Sequence, residues 1–141
     1  MIDEAAVISA LATILEGITD IKAVHQGVPG EWTDYPAATI YPLSWEEEYA
    51  DLRDTKIVAV FRIGIHVTYD TATDLPGAQA VLWSIVNQVK EELGKQENID
   101  LGGAIDFSSL SSGSFLFDTK EANQVYCLID YKATKRFNRH A

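Results

Sequence analysis

The stretch from Ile57 to Tyr69, IVAVFRIGIHVTY, decides the fold. Each odd position in it carries an apolar or aromatic side chain, whereas the even positions include Arg62, His66 and Thr68. A period of two is typical of a β-strand, because successive side chains point to opposite faces of the sheet. The stretch therefore predicts a long antiparallel strand with one face in a core and the other nearer to water.

A helix is predicted on each side of this strand. Downstream, Asp74 is a suitable N-cap, Pro76 is tolerated in a first helical turn, and Gly94 suits the position after a helix. Apolar residues recur at helical spacing between them: Ala78, Val81, Leu82, Ile85, Val86, Val89 and Leu93. Upstream, a first helix is predicted from Asp3 to Gly17, with acidic residues at its N-terminus, where the helix dipole favours negative charge.

Further extended segments are predicted at residues 22–26, 37–43, 105–117 and 125–137, and Pro42 marks the second of them as an edge or a bulged strand. The serine-rich stretch 108–114 predicts a hairpin tip or an interrupted strand. Short connections favour antiparallel hairpins over parallel crossovers. The predicted fold class is α+β: a two-layer sandwich with a mostly antiparallel β-sheet of four to five strands and two helices packed on one face.

Length and composition fit a single domain that spans residues 1–141, with 47% apolar residues to build a core. No apolar run approaches the ~20 residues that a membrane helix needs, so no membrane partner is expected. The N-terminus is acidic where a signal peptide would be basic, and the single Cys127 cannot form an internal disulfide, so a reducing intracellular compartment is expected. The net charge of −10 disfavours adsorption to nucleic acid or anionic membranes.

Charge is unevenly distributed along the chain. Residues 1–55 contain eleven acidic and two basic residues, whereas no acidic residue follows Lys132. Two interpretations stay open: the acidic and basic groups are solvated faces, or the acidic group of one copy meets the basic group of the next. The second interpretation predicts an oligomer interface formed by Glu46, Glu47, Glu48, Asp51, Asp54, Lys132, Lys135, Arg136 and Arg139.

The sequence contains no glycine-rich phosphate loop, no paired-histidine or paired-cysteine metal motif and no serine-nucleophile motif. His25, His66 and His140 lie far apart, and His66 is expected to be solvated or hydrogen-bonded on the polar side of its strand. The run Glu46 to Glu48 lacks the spacing of a calcium loop, and Cys127 is expected in the core. We therefore expect no catalytic residue, no metal ion and no cofactor.

Two tryptophans stand outside any periodic pattern. Trp32 and Trp45 flank the segment 37–43, and they are predicted either to contact a partner or to dock onto the protein's own sheet. Trp83 borders the apolar side of the second predicted helix, where a position at the rim of the core is the simplest interpretation.

Five segments carry a resemblance in their order along the chain: a helix at 5–15, a Val28-Pro29 turn, a strand between two Tyr-Pro pairs at 35–42, a long alternating strand at 61–70 and a helix at 79–93. In this order the chain resembles the tail terminator and tail-completion proteins of long-tailed bacteriophages, the lambda-type family. The resemblance covers nearly the whole chain. It concerns the order and general character of the helices, strands and turns rather than invariant catalytic positions.

The resemblance implies a structural protein, not an enzyme, that is assembled in the host cytoplasm and located in the virion tail or neck. Such proteins form a ring, typically of six copies, that caps the tail tube, ends tube polymerisation and offers a surface for head-tail joining. The implied partners are other copies of the chain, the tail tube protein and the head-tail connector protein. DNA would pass through the lumen without specific binding, and acidic side chains there would repel it.

Two other function classes are compatible with the sequence. A head-completion or neck adaptor protein would have the same general order of helices and strands, and it would bind the portal-side connector instead of the tube. A small ligand-binding or enzymatic domain would instead need a pocket in which polar groups from His25, His66 or the Glu46 region converge.

Overall fold

The computed structural model describes residues 2–32, 34–49, 54–70, 72–118 and 123–138. The helices and strands, in chain order, are α1 (Glu4–Glu16), β1 (Ala23–Gln26), β2 (Ala37–Tyr49), β3 (Asp54–Thr68), α2 (Leu75–Gly94), β4 (Phe107–Asp118) and β5 (Gln124–Asn138). The strands form one sheet in the order β1-β2-β3-β5-β4. The predicted α+β class is confirmed, and the strand predicted at 57–69 is the central strand β3.

Three of the four neighbouring strand pairs are antiparallel, but β1 and β2 are parallel. Ala23 pairs with Ala37, so both strands begin at the same end of the sheet. The mostly antiparallel sheet is as predicted, and this connection is the one exception among the described strands to the preference for antiparallel hairpins. The physical reason is that the connection does not turn back directly: Trp32 packs on His66 of β3, so the connection passes over one face of the sheet before β2 begins at Ala37.

The core lies between one face of the sheet and both helices, as predicted. Odd-numbered residues of β3 and β5 face the helices, and Phe61, Ile63 and Ile65 are fully buried there. We call this side the helix face and the opposite side the open face. α1 lies over β1 and β2, whereas α2 lies over β3 and β5. Cys127 belongs to this core, as predicted.

The helix ends follow the local sequence signals. The Asp3 side chain accepts a hydrogen bond of 3.2 Å from the Ala6 backbone N–H and so caps α1. Asp74 occupies the N-cap position of α2 and Pro76 lies in its first turn, but Gly94 is the last helical residue rather than the one after the helix. No helix in the described part of the chain is long and apolar enough to cross a membrane.

β2 is longer than its sequence predicts. It was expected to end at Leu43, but it continues to Tyr49 and pairs with β3 along this length. The register shifts between Pro42 and Ser44, which confirms the bulge that Pro42 indicates. Glutamate has low strand propensity, so the extension depends on pairing with the long strand β3.

The serine-rich stretch lies inside β4, so the hairpin-tip interpretation is wrong and the interrupted strand is confirmed. A register shift between Leu110 and Ser112 divides β4 into two paired halves. β4 forms one edge of the sheet and β1 forms the other.

Candidate functional site

The acidic and basic groups that the sequence singled out lie at the same end of the sheet. Glu46, Glu47 and Glu48 are in β2, and Lys132, Lys135 and Arg136 are in β5, with β3 between them. Glu47 and Lys135 are at the same height, as are Glu48 and Arg136, because each pair shares a partner residue on β3. Two strand spacings separate the groups, about 10 Å.

The two faces of the sheet divide these charges. Glu46, Glu48, Lys132 and Arg136 alternate onto the open face, whereas Glu47 and Lys135 alternate onto the helix face. Asp54 is the first residue of β3, level with Asn138 at the same end. Asp51 and Arg139, which the sequence also assigned to an interface, lie outside the described residues.

Some of these charged residues already have partners within the chain. Glu48 forms an ion pair with Lys56 on β3 at 3.6 Å, and both side chains are exposed. The Lys135 ammonium lies 5.5 Å from the centre of the Phe137 ring. The Arg136 backbone N–H donates to the Asp106 carboxylate at 2.7 Å. Lys56 could not be singled out from the sequence, because cross-strand neighbours follow from register, which only the fold supplies.

β4 carries no charged residue from Phe107 to Phe117, where serines are mixed with apolar and aromatic residues. Its aromatic side chains are exposed on both faces: Phe107 is 51% exposed, Phe115 53% and Phe117 61%. Edge strands of monomeric proteins usually carry charge, proline or other protection against pairing with another chain. Apart from the register shift between Leu110 and Ser112, β4 has none of these features, and its exposed phenylalanines are of the kind that association surfaces bury.

Two of the three tryptophans, Trp45 and Trp83, are at the surface. Trp45 is in β2 rather than in a loop, and its side chain is 56% exposed on the helix face beyond the helices. Its predicted role as a partner contact stays a prediction. Trp83 is 51% exposed and lines a small groove with Phe115 and Phe117 beside the buried Leu82, a position at the rim of the core as the sequence indicates.

A cluster of rings covers part of the open face. Trp32, from the segment between β1 and β2, packs on His66 with a centroid distance of 4.6 Å, stacks with Tyr35 at 5.8 Å and meets His25 edge-on at 5.8 Å. Tyr126 stacks on the other side of His66 at 5.5 Å. Trp32 therefore docks onto the protein's own sheet, which is the second of its two predicted roles. We call these five residues the ring cluster.

A chain of hydrogen bonds holds His66 in the ring cluster. The Gln124 carboxamide oxygen lies 3.1 Å from His66 Nδ1, and the carboxamide nitrogen donates to the Tyr35 hydroxyl at 2.6 Å. Because a carboxamide oxygen only accepts, Nδ1 carries the imidazole proton and Nε2 is left to accept from Thr39 Oγ1 at 3.4 Å. His66 is thus a buried, hydrogen-bonded histidine, only 9% exposed. Burial lowers its pKa from the ordinary value, against the opposing effect of the bond to Gln124.

Acid is expected to destabilise the fold through His66. Its pKa is lowered in the folded state, so below the unfolded value of 6.5 the unfolded chain binds the proton more readily. Stability is therefore fully present above pH 6.5 and falls as the pH drops below it, with a slope of up to about 1.4 kcal/mol per pH unit until the folded pKa is reached. Urea unfolding of the wild type and of His66→Phe at pH 7.5 and pH 5.5 measures the effect. Equal pH dependence in both proteins would contradict it.

Gly64 allows the contact between Thr39 and His66. A Cβ atom at residue 64 would lie 2.5 Å from Thr39 Oγ1 and 2.7 Å from His66 Nε2, closer than atoms pack. We expect Gly64→Ala to lower the free energy of unfolding by about 1–3 kcal/mol, because both neighbours are buried and cannot move away cheaply. Gly113→Ala is the matched control, since the nearest atom there is 3.7 Å away. A similar loss in both variants would show that the close approach is not the cause.

The chemistry available in the described residues is modest. His25 and His66 do converge, on Trp32, but Glu46 lies at the far end of β2. No group of three or more His, Cys, Asp or Glu residues within the described ranges is placed to hold a metal ion. A groove of about 260 Å³ between α2 and β4 contains Lys90 and the Cys127 thiol, whose pKa burial raises. A raised pKa keeps the thiol protonated and unreactive at neutral pH.

Comparison with models of known protein families finds no match to this chain. A search of curated proteins also finds no matching sequence.

Proposed function

We propose that this chain is a structural protein of a bacteriophage virion. In this role it forms a closed ring, expected to contain six copies, that caps the tail tube, ends tube polymerisation and provides a surface for head-tail joining. The proposal starts from the order of helices and strands and the lambda-type resemblance that this order carries.

The observation that supports it best is the presence of two unlike association surfaces on one sheet. One side carries the uncharged edge of β4, with its exposed phenylalanines, beside the basic residues of β5, and the other carries the acidic half of β2. A ring needs heterologous contacts, in which two different patches of each copy meet. Opposite charge on the patches sets register and suppresses wrong pairings more than it adds affinity.

A cap must also bind unlike partners at its two ends. One end of the ring has to complement the last disc of the tube, and the other must reject further tube subunits. The exposed Trp45 and the groove that Trp83 shares with β4 are surfaces of the kind that such contacts bury. The acidic segment at one end of the sheet would repel DNA if it lines the lumen.

Light scattering of the purified chain, alone and mixed with a tail tube protein from the same phage, tests the function. A ring and tubes of uniform, limited length are the expected result. A strict monomer that leaves tube length unregulated would overturn the proposal. Co-purification with the portal-side connector and not with the tube protein would assign the chain to the neck adaptors instead.

A further inference from the structure

Both sides of the sheet leave strand backbone without a partner strand among the described residues. β1 pairs only with residues 37–40 of β2, so β2 from Tyr41 to Tyr49 has no neighbour on that side. The outer side of β4 has none along its length. Both free stretches reach the same end of the sheet, because Phe107 is level with Glu46 through Thr134 and Val58.

The two free stretches differ in charge, and so in whether they would repel the same stretch of a second copy. The acidic run on β2 places like charges opposite each other if two β2 edges meet, which disfavours that pairing. β4 carries no charge from Phe107 to Phe117, so it offers no such repulsion. Lys132 and Arg136 lie on the open face one strand behind it, and Lys132 is the direct partner of Ser109.

Small side chains on β4 leave room for these basic residues to reach outward. Ser109 and Ser112 alternate onto the open face in the half of β4 beside Lys132 and Asp130. A lysine side chain is long and flexible, so Lys132 can extend across Ser109 toward a strand that pairs with the outer side of β4. Arg136 is level with Glu48 and lies beyond the start of β4, with only Asp106 beside it.

Strand directions also fit a continuous sheet. β5 is antiparallel to both β3 and β4, and β3 is antiparallel to β2, so β4 and β2 run in opposite directions. A second copy placed beside the first in the same orientation therefore brings its β2 antiparallel to β4. At equal height, Ser109 of one copy faces Ser44 of the next on the open face.

We infer that copies of this chain join edge to edge, with the first half of β4 from one copy pairing with the 41–49 part of β2 from the next. The contact rests on the proposed ring and names the surfaces that build it. Each copy offers one β4 edge and one β2 edge, so the contact is head-to-tail and repeats until the ring closes. Glu46 and Glu48 of one copy face the Lys132 and Arg136 side of the other.

Cysteine cross-linking tests the contact in the full chain. Opposite residues of an antiparallel pair have Cβ atoms about 5 Å apart, which allows a disulfide. Mild oxidation of the Ser44→Cys/Ser109→Cys double variant is expected to give a ladder of covalent oligomers that ends at the closed ring. Each single variant should stop at a dimer. Glu46→Cys with Ser109→Cys covers a neighbour shifted by two residues along the strand.

The control pair is Ser9→Cys with Ser109→Cys, since Ser9 is equally exposed but lies on α1. The buried Cys127 is present in every variant, so any cross-linking through it is the same in the test pairs and in the control pair. One outcome is a ring in light scattering while the 44/109 and 46/109 pairs cross-link no better than the 9/109 control pair. That result would overturn this contact and leave the ring proposal standing. A wild-type chain that stays monomeric with the tube protein present would overturn the ring itself.

Discussion

Exchanging Lys132 and Arg136 for glutamate is expected to abolish ring formation while the subunit stays folded. Both side chains are exposed on the open face of β5, so the core is untouched. In the proposed ring the change turns attraction toward Glu46 and Glu48 of the next copy into repulsion, at about 1 kcal/mol for each residue. Association at each contact should weaken about 30-fold, since 1.4 kcal/mol is a factor of ten. Sedimentation velocity over a concentration series measures it.

Two further variants separate this contact from a general effect of charge. Adding Glu46→Lys and Glu48→Lys to the same chain exchanges the two signs and should restore the ring. Lys90→Glu in α2 with Lys95→Glu directly after α2 makes the same change in net charge away from the open face and should leave assembly unchanged. If the α2 variant assembles as poorly as the β5 variant, or if the exchanged chain does not recover, the charge pairing is wrong.

Removing the Trp32 side chain is expected to be the most destabilising change outside the helix-face core. Trp32 contacts Tyr35, His66 and His25, and these contacts hold the 27–36 segment on the open face. Trp32→Ala should lower the free energy of unfolding by about 2–3 kcal/mol, because the side chain is partly buried and the loss of a fully buried aromatic side chain costs about 3–5 kcal/mol. Chemical unfolding at pH 7.5 measures it.

The same variant has a second readout. Without Trp32 over it, His66 regains water, so its pKa should return toward the ordinary value and the acid destabilisation should shrink. Trp45→Ala and Trp83→Ala are the matched controls, because both side chains are more than half exposed. They should cost well under 1 kcal/mol in the unassembled subunit. A Trp32 variant as stable as these two would show that the ring cluster does not hold the segment.

Periodicity predicted the parts of the fold in which one side of an element is buried. The alternation from Ile57 to Tyr69 gave the central strand, and the helical spacing from Ala78 to Leu93 gave α2, because burial on a single face imposes the period directly. The extension of β2 through Glu46 to Glu48 was missed. Glutamates do not favour strands, and pairing with β3 overrides their local preference.

The ring cluster could not be predicted from the sequence for a different reason. Its members are at residues 25, 32, 35, 66 and 126, so register and the path of one loop bring them together rather than any spacing. The even positions of β3 predicted a face near water, and around His66 that face is instead covered by the chain itself. The charged groups were found from composition, but their place at one end of a single sheet required the strand order.

The position of β5 governs when the sheet can be completed during synthesis. β5 is the last strand in chain order, yet it lies between β3 and β4 and is the only neighbour that β4 has among the described residues. During synthesis, β4 cannot pair with β5 until residues 124–138 have left the ribosome. Until then the phenylalanines of β4 remain exposed, without a partner strand. Long-range pairing of this kind slows folding and exposes apolar segments to aggregation. Translation rate and chaperone supply should therefore influence the yield of this protein.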